Sequence, residues 1–173
     1  MTQIPLFRSL HFPWRRFCRL LLAGSWCAGL LIGIAAANSA GTILAPMMRS
    51  AVMAPVSIVG LSAAALLPFL LSAYAVSISE PWLLLIISTF KAFGFSFCAC
   101  AVSLTFGQSS WLVRFLFLFS DHCLAPVLYL YWLRHISGER NFSGWETVCF
   151  VAAAVLIGVI DFCLVSPFLA TLI

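Results

Sequence analysis

Charge is what this sequence has least of. Asp, Glu, Lys and Arg make up 8% of its 173 residues, against roughly a quarter in an ordinary soluble domain. That is too little to cover a water-facing surface, and no stretch is long and polar enough to form a soluble domain. Other absences narrow the chemistry. The chain has no glycine-rich phosphate loop and no paired glutamates with downstream histidines of the kind intramembrane metalloproteases use. Its seven cysteines are odd in number and lie almost entirely in apolar runs, which excludes a fully paired disulfide framework. Cys98 and Cys100 fall on opposite faces of a regular helix and do not chelate there. His122 and Cys123 are adjacent and diverge, so they lack metal-ligand spacing. No cofactor or metal is expected. The net charge of +4 sits at the edges of apolar runs, where membrane topology accounts for it, so it gives no reason to expect nucleic-acid binding.

What the chain has in abundance is apolar sequence, at 64% of residues. A membrane-spanning helix takes about 20 residues. Five such runs are present, at about 17–37, 54–76, 82–104, 111–133 and 148–169. Turn signals separate them: Asn38-Ser39, Ser79-Glu80-Pro81, Gly107 to Ser110, and Ser137 to Asn141. The basic start and the small residues near Ala35–Ala40 are similar to a secretory signal. The first apolar run is long for one and further runs follow, so an uncleaved first span is expected. The expected fold class is therefore all-α: a single polytopic bundle over residues 1–173, surrounded by lipid.

Orientation follows from arginine. With the N-terminus inside, the inner segments carry Arg8, Arg15, Arg16, Arg19, Arg134 and Arg140, while Arg49 and Arg114 lie toward the outside. This satisfies the positive-inside rule and puts the C-terminus outside. Trp14, Trp82, Trp111, Trp132 and Trp145 fall near span ends, as interfacial tryptophans do. Span one carries two small-xxx-small pairs, Gly24/Ala28 and Gly29/Gly33, which permit close helix approach in lipid. Packing of span one on span two is expected from them, and a homo-oligomer stays open. Gly94 is expected to leave room for a neighbouring helix.

Three ionisable residues interrupt the spans, Lys91, Asp121 and Asp161, with His122 beside Asp121. Counted from the inner span ends at 1.5 Å per residue, they lie roughly 14, 18 and 20 Å deep. Charges at such depth face the bundle interior and pair. Lys91 is expected to pair with Asp121, with Asp161 as a second carboxylate near the same level. Two uses of this cluster stay open. One is a structural clamp. The other is a proton or ion relay, which needs a continuous polar path; here Phe90, Phe93, Phe95, Phe97, Phe117 and Phe119 crowd it instead. Gly94-Phe95-Ser96-Phe97, with His122 as base, matches half of an intramembrane serine-protease signature but lacks the glycine after the serine. A membrane serine bonds its own helix backbone more often than it attacks a substrate. The chain is not expected to be an enzyme.

Three stretches together resemble the stage II sporulation protein M family of bacterial membrane proteins. Gly29-Leu-Leu-Ile-Gly33 closed by Asn38-Ser39 is similar to the family's first helix and its outer end. Phe90-Lys91-Ala92-Phe93-Gly94-Phe95 looks like its lysine, glycine and phenylalanine cluster, with Ala92 where glycine is common. Ser120-Asp121-His122-Cys123-Leu124-Ala125-Pro126 stands where the family has a proline-glutamine-asparagine-like group in the fourth span. The resemblance covers about residues 17–135 and implies a non-enzymatic, multi-pass subunit of the bacterial cell membrane. The sporulation member serves as scaffold or anchor for two peptidoglycan-degrading partners during engulfment, so membrane-bound cell-wall hydrolases are the implied partners. The alternative is the membrane component of a small-solute transporter, for a vitamin or a metal, with Lys91, Asp121 and His122 lining its pocket. Such importers usually have six spans, against the five found here.

Overall fold

The computed structural model describes residues 14–53, 58–78, 80–107, 111–136 and 144–172. Arg8, Arg140 and the turns at 108–110 and 137–143, on which part of the sequence reading rests, lie outside the described residues. Within them the chain is helical and has no strand. The elements are α1 (Trp14–Ser39), α2 (Gly41–Met53), α3 (Ile58–Ser77), α4 (Pro81–Phe106), α5 (Trp111–Phe117), α6 (Phe119–His135), α7 (Gly144–Ile160), a single π turn (Asp161–Val165) and α8 (Ser166–Leu172). Among the described residues, Arg16–Ser39, Pro81–Phe106 and Val148–Leu172 are long and apolar enough to cross a membrane. A fourth crossing forms if α5 and α6 are counted as one bent span.

Local chemistry sets the helix limits. Pro81 opens α4, where a missing N–H costs nothing. Gly107 closes it at φ 83° and ψ 165°, a positive-φ conformation that glycine adopts without steric cost. The π turn lies just before Pro167. That proline has no N–H, and in a regular helix its ring would press on the carbonyl four residues earlier. Widening the turn relieves the clash, and the Ser166 N–H bonds the Asp161 carbonyl across it.

α4 is the centre of the bundle and contacts α1, α2, α3, α5 and α6. Its largest interface is with α1, which corrects the expected packing of span one on span two. The reason is a match of small residues. Ser25, Gly29 and Gly33 recur every fourth residue on α1, and Ser88, Ala92 and Ser96 do the same on α4. Ser25 and Ser88 hydroxyls meet at 2.6 Å. The Thr89 hydroxyl reaches the Ser25 carbonyl at 3.3 Å. A Cβ on Gly29 would meet Thr89 O and Ala92, and one on Gly33 would meet Ser96 Oγ and Phe93 O. The pairs advance together along both chains, so α1 and α4 run parallel. The same register carries into α2, where a Cβ on Gly41 would touch Leu104 at 3.5 Å.

The other proposed packing positions are corrected. Gly24 and Ala28 are exposed, and a Cβ on Gly24 would meet nothing within 4 Å. Gly94 likewise has open space beside it; Ala92 and Ser96 make the close approach instead. Residues 41–53, which fall between the first two expected spans, form α2. At 1.5 Å per residue its 13 residues are too short for a hydrocarbon core of about 30 Å.

Trp132 is a further correction. It is fully buried rather than interfacial, and its indole N–H donates to Ser72 Oγ at 2.7 Å. Ser72 in turn donates to the Pro68 carbonyl at 2.6 Å. Trp82, Trp111 and Trp145 are exposed, as expected of interfacial residues. Around Trp132 the core joins α3, α6 and α7, with Phe69 and Phe150 stacked at 4.0 Å. Ser72→Ala would strand the buried indole N–H, and leaving a donor unmet costs about 1–3 kcal/mol. We expect that loss as a lower midpoint for unfolding of the purified protein in mixed micelles. An unchanged midpoint would show that the tie to Ser72 is dispensable.

Candidate functional site: the intramembrane polar cluster

The polar cluster joins α4, α6 and the π turn. Lys91, the chain's single lysine, extends from α4 and donates from Nζ to Asp121 Oδ1 at 2.5 Å. This is the only ion pair among the described residues. The lysine and aspartate side chains keep 15% and 31% of their accessible surface, so helices enclose much of the pair. A primary amine in an apolar span needs such a partner, because an unpaired charge there costs several kcal/mol.

Asp161 joins the cluster through a different partner. It is buried in the π turn, and its Oδ2 accepts from Ser120 Oγ at 2.5 Å. Lys91 makes no ion pair with Asp161. Adjacent residues of α6 thus divide the work: Ser120 holds the π turn and Asp121 holds α4. Ser120 stands in the polar group before Pro126, but no spacing in the sequence ties it to a carboxyl on another helix.

His122 takes a third direction. Its Nδ1 donates to the Leu118 carbonyl at 2.8 Å. Its ring packs on Phe95 and Phe115 with centroids 5.2 and 5.0 Å away. Ser96, the conceivable nucleophile, lies buried on the α1 side of α4 and donates to the Phe93 carbonyl at 3.2 Å. The two do not form a dyad. All seven cysteines are free, and no group of three or more metal-ligating residues occurs among the described residues.

The span carrying Asp121 is not straight. α5 and α6 meet at a 61° bend at Leu118. No proline or glycine stands at the break; Pro126 lies further along α6. Leu118 leaves helical geometry at φ −104°, ψ 18°, yet its carbonyl still accepts from the His122 backbone N–H at 2.9 Å. The bend separates Arg114 from Asp121. Arg114 turns to α4, where Nη1 donates to Ser103 Oγ at 3.0 Å.

Among the described residues, long apolar helices, a partly buried ion pair and small-residue helix contacts are those of an all-helical membrane protein. No family model, curated protein or solved structure matches the chain.

Proposed function

We propose that the chain is a scaffold or anchor subunit of the bacterial cell membrane, not an enzyme, acting as the stage II sporulation protein M family does toward peptidoglycan-degrading partners. The observation that carries this reading is how the polar cluster is used. Lys91 and Asp121 bond to each other, and Asp161 bonds to the Ser120 hydroxyl of α6. Groups spent on joining helices favour a rigid platform over a solute site or relay. The platform has five spans in this reading, with α3 as span two, the N-terminus inside and the C-terminus outside. The parallel run of α1 and α4 supports it, because the chain between them must cross back.

The test is recovery from the native membrane. The tagged protein, crosslinked in cells and purified in mild detergent, should bring down membrane-bound cell-wall hydrolases and hold no small solute. Hydrolases absent after crosslinking, or a vitamin or metal retained in stoichiometric amount, would overturn the scaffold reading.

A further inference from the structure

Beside the polar cluster, on the far side of the Leu118 bend, lies a cavity of about 380 Å³. α4 supplies Phe95 and Ala99 to its wall, α5 supplies Trp111, Arg114 and Phe115, and α6 supplies His122. The wall side chains are apolar except for Arg114, His122 and the indole N–H of Trp111. Arg114 is half-buried and has no carboxylate at ion-pair distance among the described residues. Its guanidinium is held in place: Nη1 donates to Ser103 Oγ, and Ser103 donates to the Ala99 carbonyl at 2.9 Å. Arginine has five N–H donors, so this anchor leaves a fork able to engage a second group. His122 spends Nδ1 on the Leu118 carbonyl, which leaves Nε2 as its remaining ring nitrogen.

Trp111 and Phe115 flank the cavity and are 64% and 42% exposed. An exposed tryptophan one helical turn from an arginine is the arrangement of a membrane interface. A fixed arginine fork at that level, over an apolar wall, matches an amphiphile with an anionic head and an acyl chain. We infer that the cavity binds a membrane phospholipid through its phosphodiester, with Arg114 as the primary donor and His122 as a second contact. The acyl chain runs over Phe95, Ala99 and Phe115. Arginine suits phosphate because its planar fork donates two parallel hydrogen bonds. The 61° bend is what makes the room: a straight helix would carry Arg114 along the same line as Asp121 instead of opening a wedge against α4.

The experiment is native mass spectrometry of the full-length protein, delipidated in detergent and titrated with phosphatidylglycerol, phosphatidylcholine or inorganic phosphate. Wild type should bind one phosphatidylglycerol more tightly than phosphatidylcholine, whose headgroup cation competes with Arg114. Arg114→Gln should weaken phosphatidylglycerol binding about tenfold, the effect of losing one charge-assisted bond. Ala99→Phe, which fills the wall and leaves the charge, should weaken both lipids. Because Arg114→Gln also removes the Ser103 tie, Ala99→Phe keeps the test decisive if the arginine variant does not fold. Equal affinity of wild type for the two lipids, or binding unchanged in both variants, overturns the inference. Displacement of phosphatidylglycerol by millimolar inorganic phosphate alone also overturns it, in favour of a free-anion site.

Discussion

Replacing Lys91 by methionine is expected to cost about 3 kcal/mol of stability, the low end of what breaking a buried ion pair costs when its partner charge is left behind. The low end applies because 15% and 31% of the two side chains remain accessible. Methionine keeps the length of the lysine stem, so the loss reports charge rather than packing. Asp121 is left without its partner in an apolar setting, which is unfavourable. Asp121→Leu alone should be comparably damaging, because it strands the ammonium. The double variant Lys91→Met/Asp121→Leu should recover most of the loss, since replacing both members of a buried pair by apolar residues is often neutral. The cycle is read from unfolding in mixed micelles, and a coupling of at least 1 kcal/mol is the expected signature of residues in direct contact. Two single variants as stable as wild type would dispose of the clamp.

The same cycle separates clamp from relay. If the pair only fastens α4 to α6, the double variant should keep its partners as well as its stability. A relay would lose its activity in the double variant even though the fold had been rescued.

How far the sequence disclosed this site depended on the type of signal. Lys91 and Asp121 were legible because a charge in an apolar run must find a partner, and helix rise alone puts both at one level. That Asp161 turns to Ser120 was not legible, because the two lie on different helices and no spacing in the sequence links them. The bend at Leu118 gave no warning either, since the residues around it are ordinary helix formers with no proline or glycine. Trp132 misled for a physical reason. Its place near a span end fits the interface, but tryptophan is equally at home in a core when its N–H has a partner, and Ser72 supplies one from another helix. The long helices follow the apolar runs, whereas α2 lies between the first two of those runs and was not legible as an element.

Which helices touch was the hardest matter to read, and four glycines make it testable with a single chemical change. Small-xxx-small spacing says that a face permits close approach, not which neighbour uses it. α1 has two such faces, and only one is used: Gly29 and Gly33 are buried against α4, while Gly24 is exposed. Glycine to alanine at each position adds one methyl group and the same gain in helix propensity, up to about 1 kcal/mol. Gly24→Ala and Gly94→Ala should therefore be neutral or slightly stabilising, because the added Cβ meets nothing within 4 Å. Gly29→Ala and Gly33→Ala should instead lose about 1–3 kcal/mol, the usual cost of overpacking. In both cases the new methyl runs into a backbone carbonyl of α4, Thr89 O or Phe93 O, and a carbonyl cannot move aside without its helix. The resulting separation of α1 from α4 would also lengthen the Ser25–Ser88 hydrogen bond, now 2.6 Å. Cysteines placed at 25 and 88 should accordingly crosslink readily in the wild-type background and poorly beside Gly29→Ala. Four alanine variants of equal stability would mean that α1 and α4 do not meet along this stripe, and the parallel register built on it would fall with them.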